Sequence, residues 1–281
     1  MARIRAVTFD LWNTLLTSTP GAVEIRSRFW REVIVERGLD IGDDLLHGTL
    51  SMLPTRFDEE WRAGRQYGPT EALADCFTAF GDRLASEDRD ALAAAFEAAS
   101  YELKVAPVAD AADVLSAVAA TGVAVGIISD TTLAVGRHLR TYLDQHRILQ
   151  HVTFAAFSDE VGVYKPDPAI FRVALDGLGI DDPTTVAHVG DLMRTDVAGA
   201  RAMGMVTVRF RGVVDDPEDG SAADHVLDRL ADLSVVLGLA CPRRGARLPP
   251  PCPSAPRPPA PLRPSPWRLA GAAAPAPPLG R

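Results

Sequence analysis

Four short segments of this chain carry side chains whose type and setting suit chemistry, and three of them follow brief apolar runs. In the first, "IRAVTF" leads into Asp10. A carboxylate projecting from the carboxyl end of a strand can attack a phosphorus or carbon centre and form a covalent intermediate, although taken alone such an aspartate is more often a turn or helix-cap residue. In the second, "VAVGII" leads into Ser129-Asp130, where a hydroxyl and backbone amides can hold a phosphoryl oxygen or simply cap the next helix. The third is "VYKPDPAIF". Lys165, held in a stiff turn by Pro166 and Pro168, can neutralise charge on a nucleophile and on an anionic substrate; a solvated lysine is the ordinary alternative. In the fourth, "TVAHV" precedes Gly190-Asp191, with Asp196 five residues further on. Asp10, Asp191 and Asp196 together offer the hard oxygens that suit Mg²⁺, which takes few protein ligands and shares its shell with water and phosphate. Each acidic turn by itself is commonplace.

The elements that must position these residues can be read from periodicity. The apolar runs before Asp10, Ser129 and Gly190, and a further one at 205–210, read as strands. Between them lie helical patterns at 110–122, 168–178 and 194–203, each ending near a glycine. Alternating strands and helices imply βαβ units, a parallel sheet, and a site at the carboxyl ends of its strands. Residues 17–104 differ: helix follows helix with no convincing strand, and Val23, Trp30 and Ile34, with Phe29 and Val33, form an apolar face. Such an insertion directly after the first strand would sit over the sheet's carboxyl edge, and its apolar stripes would chiefly hold its own helices together. The expected organisation is an α/β core from 1–16 and 105–240, an all-helical cap over 17–104, and a tail over 241–281.

That tail has fourteen prolines, seven arginines and no acid. It cannot bury enough apolar surface to offset chain entropy, and disorder is expected. The same bias would arise from reading GC-rich coding sequence out of frame; a proline-rich docking tail is the competing view. The whole chain has 281 residues and a formal charge of −8. Removing the seven tail arginines from 29 basic residues leaves 22 against 37 acidic ones, so the body stands at −15. An acidic body lacks the basic stripe that a nucleic-acid partner requires. Three scattered cysteines, Cys76, Cys241 and Cys252, support neither a disulfide framework nor a metal cluster. No apolar run approaches the length of a membrane span. The N-terminal stretch has two arginines, but Thr8, Asp10, Asn13 and Thr14 break its apolar character as a signal sequence. A soluble, cytoplasmic protein is the simplest account.

Nucleophile, Ser129, Lys165-Pro166 and the Gly190-Asp191…Asp196 segment, in that order, resemble the haloacid dehalogenase (HAD) superfamily, with "YKPDPAIF" and "VGD…DVAGA" as the specific part. The resemblance runs over most of residues 4–233. It implies a Rossmann-like core with a type-I helical cap over 17–104 and hydrolysis of a small phosphorylated metabolite. Asp10 would be the nucleophile, with Ser129, Asp130 and Lys165 around the substrate. Asp10, Asp191 and the backbone carbonyl of Trp12 would ligate Mg²⁺, with Asp196 supporting or completing the acidic site.

One position departs from that family's phosphatases. They carry a second aspartate two residues beyond the nucleophile, which protonates the leaving alcohol and later activates water. Here the segment is Asp10-Leu11-Trp12-Asn13-Thr14, and an indole cannot exchange a proton near neutral pH. Loss of a positioned acid/base commonly lowers rates by ~10²–10⁴. The substrate's leaving group can be one that needs no proton. Alternatively, an insert residue such as His47, Asp58, Glu59 or Glu60 can supply it. Or the reaction is dehalogenation, since the family's 2-haloacid dehalogenases resemble this chain in an aromatic at that position and in Val163-Tyr164-Lys165-Pro166. Those dehalogenases use no magnesium and lack the Gly190-Asp191 pair, which favours phosphatase chemistry. A catalytically silent binder of a phosphorylated ligand or a partner is the reading from outside the enzymes. His188, in an apolar strand, is expected to be a satisfied core histidine; Arg62 and Arg65 are either solvated or recognise an anion from the insert.

Overall fold

Ala6, Val7, Thr8 and Phe9 are buried without a break, as expected of a strand flanked by sheet on both edges and by helices on both faces. They form β1 (Ala6–Phe9) of the computed structural model, which describes residues 3–216 and 223–239. After β2 (Leu16–Ser18) come four helices: α1 (Ala22–Arg37), α2 (Asp43–Arg62), α3 (Pro69–Phe80) and α4 (Ser86–Tyr101). From β3 (Val105–Pro107) onward the chain alternates through α5 (Ala111–Ala120), β4 (Ala124–Ser129), α6 (Gly136–Gln145) and β5 (Phe154–Phe157). Next are α7 (Ser158–Val161), α8 (Pro168–Leu178), β6 (Val186–Gly190) and α9 (Ala198–Ala202). The last elements are β7 (Val206–Phe210), β8 (His225–Leu227) and α10 (Leu233–Val236).

Six strands form one parallel sheet in the order β5-β4-β1-β6-β7-β8. The chain leaves β1 for one side and returns on the other, so β1 marks the reversal of strand order where α/β proteins place their ligands. Strand periodicity sorts the side chains between two cores. Val7, Phe9, Val125, Ile127, Ala187 and Val189 pack with α5 and α6 on one face. Ala6, Ile128 and Val186 pack with Ile170, Phe171 and Leu175 of α8 on the other. The expected α/β core is the one observed.

The four inserted helices have a core of their own around Trp30, which lies against Phe80 and Phe96 at 5.7 and 5.9 Å between ring centroids and donates its indole N–H to the Leu92 carbonyl at 2.8 Å. The expectation of no strand near the insert needs one amendment. β2 and β3 pair antiparallel, Leu16 opposite Pro107 and Ser18 opposite Val105, and carry the chain into and out of the helices. They are three residues each, too short for an alternating pattern to show. The region expected as a helix over 194–203 also differs. It opens with a π-helical turn over Met193–Val197 before α9 begins. The proline-rich residues 241–281, with Cys241 and Cys252, lie outside the described residues. Cys76 is buried and free. Among the described residues, no helix is long and apolar enough to cross a membrane.

Candidate active site

Asp10 is the first residue past β1, and its backbone N–H donates to the Val189 carbonyl of β6 at 2.8 Å. Register does the rest. Phe9 stands opposite Ile127 on one side and Val189 on the other, so the ends of β4 and β6 deliver Asp130 and Asp191 to the same edge. Asp10, Trp12, Asp130, Lys165, Asp191 and Asp196 all line one cavity of about 160 Å³.

Lys165 is the hub. Its ammonium donates to Asp10 Oδ1 at 2.5 Å and to Asp196 Oδ1 at 2.6 Å, with all three side chains buried. Asp196 is fully engaged otherwise: Oδ1 also meets His188 Nε2 at 3.1 Å, and Oδ2 accepts the Leu192 N–H at 3.1 Å. The π-helical turn brings the Asp196 side chain back over the strand end. Gly190 makes room for it, since a Cβ there would lie 2.3 Å from Asp196 Cγ. Gly199 acts similarly nine residues later, where a Cβ would lie 2.4 Å from the Phe171 ring. His188 has both ring nitrogens occupied, Nδ1 by Thr8 Oγ1 at 2.9 Å, as expected of a satisfied core histidine; one of its partners nonetheless belongs to the site.

Asp191 contrasts with Asp196. Among the described residues its one side-chain donor is Asn13 Nδ2 at 3.3 Å. Asn13 reaches it because the segment after Asp10 turns tightly, with Asn13 at φ 58°, a left-handed conformation that asparagine tolerates better than most residues. The electrostatics follow from this layout. Burial pushes the Asp10 carboxyl well above the usual range, and the neighbouring Asp196 and Asp191 add to it against the pull of Lys165. Burial, then the Asp196 charge, pushes Asp191 up to about 7. Burial would raise Asp196 too, but Lys165 and His188 outweigh it and hold that carboxyl below its ordinary value. For Lys165, burial is outweighed by Asp10, Asp196 and Asp130, and the ammonium is held above its ordinary value.

Asp10, Asp191 and Asp196 each offer a carboxylate oxygen, all within 4.8 Å of one another. Three buried carboxylates against one ammonium leave excess negative charge, and Asp10 and Asp191 retain free lone pairs. Such a donor set fits a small divalent cation.

Asp130 ties the site to the insert. Its Oδ1 accepts the backbone N–H of Lys165 and its Oδ2 the indole N–H of Trp61 on α2, both at 2.8 Å. The Arg194 guanidinium covers the Trp61 ring at 4.1 Å, and Phe57 stacks beside Trp61 at 6.5 Å. Ser129 is placed differently from the other expected residues: its hydroxyl donates to the Asp130 carbonyl at 3.1 Å, and it does not line the cavity. Thr132 lines it instead. Of the four insert acids considered as proton donors, Asp58 alone lines the cavity. Glu59 and Glu60 pair with Arg56, and His47 is exposed. Arg62 and Arg65 form ion pairs with Asp58 and Glu60 in the exposed part of the insert.

Sequence reasoning missed Asn13, Phe57, Trp61 and Thr132. The pair Phe57 and Trp61, four apart in the otherwise polar "RFDEEWR", was the one available signal: two aromatics on a charged helix face call for a partner.

A family model of haloacid dehalogenase-like hydrolases matches residues 4–204. A glyceraldehyde 3-phosphate phosphatase of Methanopyrus kandleri is 30% identical over 82% of this chain and 95% of its own. An (S)-2-haloacid dehalogenase of a Pseudomonas species is 28% identical over 84% and 98%. Among solved structures, a HAD phosphatase from Thermococcus onnurineus superposes with a TM-score of 0.59 at 23% identity, over 85% of this chain and all of that one. A 2-haloacid dehalogenase from Pseudomonas syringae gives 0.60 at 20% identity, over 84% and 98%; at such identities the likeness speaks to fold alone. With the family match covering most of the chain and a relative of this length at 30% identity, the chain belongs to the haloacid dehalogenase-like hydrolases.

Proposed function

We propose that this hydrolase is a magnesium-dependent phosphatase of a small phosphorylated metabolite, with Asp10 as the attacking group. The observation that carries the reading is the Lys165 ammonium lying between Asp10 and Asp196 while Asp191, with few donors of its own, stands within ligand distance of both carboxylates. The phosphatase relative from Methanopyrus supports it.

In this reading Asp10, Asp191 and the Trp12 carbonyl would hold Mg²⁺, and Asp196 steadies Lys165 beside them. The cation, when bound, supplies charge neutralisation for the phosphoryl oxygens. Asp10 attacks phosphorus in line, and Lys165, its backbone anchored by Asp130 at the end of β4, steadies the equatorial oxygens. The alcohol leaves, and water then cleaves the aspartyl-phosphate. Trp12 supplies no proton to either half-reaction, so the substrate carries a good leaving group or Asp58 serves from the insert. The helices over the site exclude bulk water. A cytoplasmic, nucleic-acid-free setting fits the acidic body.

Trp12 and the Pseudomonas relative favour one competing reading, dehalogenation, because halide leaves without a proton. The test is phosphate release from an aryl phosphate by the full chain, with and without Mg²⁺, beside Asp10→Asn. Magnesium-dependent release that vanishes in the variant is expected. Absence of release, together with metal-independent halide release from a 2-haloacid, would replace this reading by the second; absence of both would leave a silent binder.

A further inference from the structure

A second, larger cavity of about 410 Å³ adjoins the acidic one, and Trp12, Asn13, Phe57 and Thr132 line both. The two differ in charge. The first carries Asp10, Asp58, Asp130, Asp191 and Asp196 against Lys165. Among the described residues, the second is lined by apolar groups such as Pro54, Leu103 and Leu133, and its charged lining residues are Arg26 and the exposed Lys104, with no carboxylate. In a chain whose body is strongly acidic, an acid-free chamber beside the nucleophile is a feature to be explained.

Arg26 sharpens the point. It lies on α1 and is only 5% exposed, yet among the described residues no carboxylate pairs with it. Its Nη2 reaches Ser100 Oγ at 3.4 Å, its guanidinium lies 4.6 Å from the Phe96 ring centroid, and its Nε has no acceptor. Burial lowers its pKa to about 10, so it remains a cation at neutral pH. A buried charge without a counter-charge is strongly unfavourable unless something supplies one. The indole N–H of Trp12, on the wall between the cavities, is likewise buried with no acceptor. A buried guanidinium that lines an apolar chamber without a carboxylate beside it calls for an anion from outside the chain.

We infer that this chamber seats a second anionic group of the substrate against Arg26 while the phosphoryl group lies over Asp10. The substrate class is then a phosphomonoester with an apolar body and an anionic far end, a carboxylate or a second phosphate. Trp12 accordingly serves as a wall for that body. The inference rests on the phosphatase reading for the phosphoryl half alone; the anion seat stands on Arg26.

The test has a binding arm and a turnover arm, both on the full chain. In the first, calorimetry follows ω-phenylalkanoates with one to four methylenes, each beside its primary amide. The best carboxylate should bind at least tenfold tighter than its amide. Arg26→Met should bring that ratio close to one, and Arg26→Lys should keep part of it. Should Arg26→Met fail to fold, the wild-type ratio decides: carboxylate and amide binding alike at every length overturns the inference. In the second arm, aryl phosphates bearing the same carboxylate, amide or second phosphate are compared with Mg²⁺ present. Either anion should lower KM against the amide and leave kcat within a few fold. Carboxylate binding without phosphate release would keep the anion seat and remove the phosphatase reading. Release that is indifferent to the far-end charge would do the reverse.

Discussion

Trp61 Nε1 lies 2.8 Å from Asp130 Oδ2, and the opposite oxygen of that carboxylate holds the backbone N–H of Lys165. One side chain thus joins the helical insert to the residue that carries the charge of the site. A hydrogen bond to an ionised acceptor contributes about 1.5–3 kcal/mol, less where water competes. Trp61→Phe keeps an aromatic ring beneath Arg194 and removes this bond alone. It should raise KM for an aryl phosphate roughly threefold to tenfold and speed hydrogen exchange at the C-terminal turn of α2. Unchanged exchange there would mean that the insert is held by packing.

Lys165 is the one cation lining the acidic cavity among the described residues. Lys165→Met leaves Asp10, Asp191 and Asp196 facing one another without it. Removing one side of a buried ion pair typically costs about 3–5 kcal/mol, and urea denaturation in chelator should show a loss of that order. Mg²⁺ should restore part of the stability and none of the turnover. A variant as stable as the parent in chelator would contradict the assignment of Lys165 as the compensating charge.

With no acid/base at position 12, the covalent intermediate should outlast its formation. Quench-flow with an aryl phosphate should show a burst followed by slow turnover. Trp12→Asp should accelerate the slow phase by up to ~10²–10⁴, while removing an indole from the wall of the chamber. A folded Trp12→Asp with an unaltered slow phase would shift the role to Asp58, and Asp58→Asn should then abolish the residual rate.

Relative to Asp191→Asn, which leaves the opposing, lowered His138 and His188 in place, the metal-free protein should lose stability as pH rises from about 4 to about 8. Asp191, pushed up to about 7 by burial, takes a proton on folding in this window. The stability from that proton is complete below the unfolded value near 4 and is lost as pH passes through about 7. Asp10, also raised, acts in the same direction, whereas the depressed Asp196 matters only in more acidic solution. Thermal melts in chelator should therefore fall across the window relative to that variant, and Mg²⁺ should raise the melting temperature far more at its upper end. A difference that rises with pH in chelator would contradict the raised Asp191.

Much of this architecture was legible because strand ends and the carboxylates of the candidate site coincide: the apolar runs ending at Asp10 and Gly190 announce both the sheet and its edge. Local signals failed where geometry depends on distant partners. Ser129 looked like a ligand-holding hydroxyl, but its oxygen turns to the Asp130 carbonyl. The π-helical turn at Met193–Val197 escaped because its residues keep an ordinary helical periodicity, and it is the Val197 N–H reaching back five residues to the Leu192 carbonyl that distinguishes it. Trp61 and Asp130 are 69 residues apart, and nothing in either segment names the other. Arg26 sat in plain view four residues before Trp30 on the buried side of α1, but apolar stripes are read for what they contain, and a lone arginine within one is passed over as surface.

The shared wall at Trp12 has a last consequence. Because one indole borders both the carboxylate proposed to react and the chamber beside it, the proposed mechanism makes the pace of the reaction and the choice of molecule dependent on each other. On that proposal a change at this single codon would reset the clock and reshape the gate together. Attempts to breed a faster enzyme from this scaffold will therefore also breed a different appetite, unless a second change elsewhere rebuilds the wall.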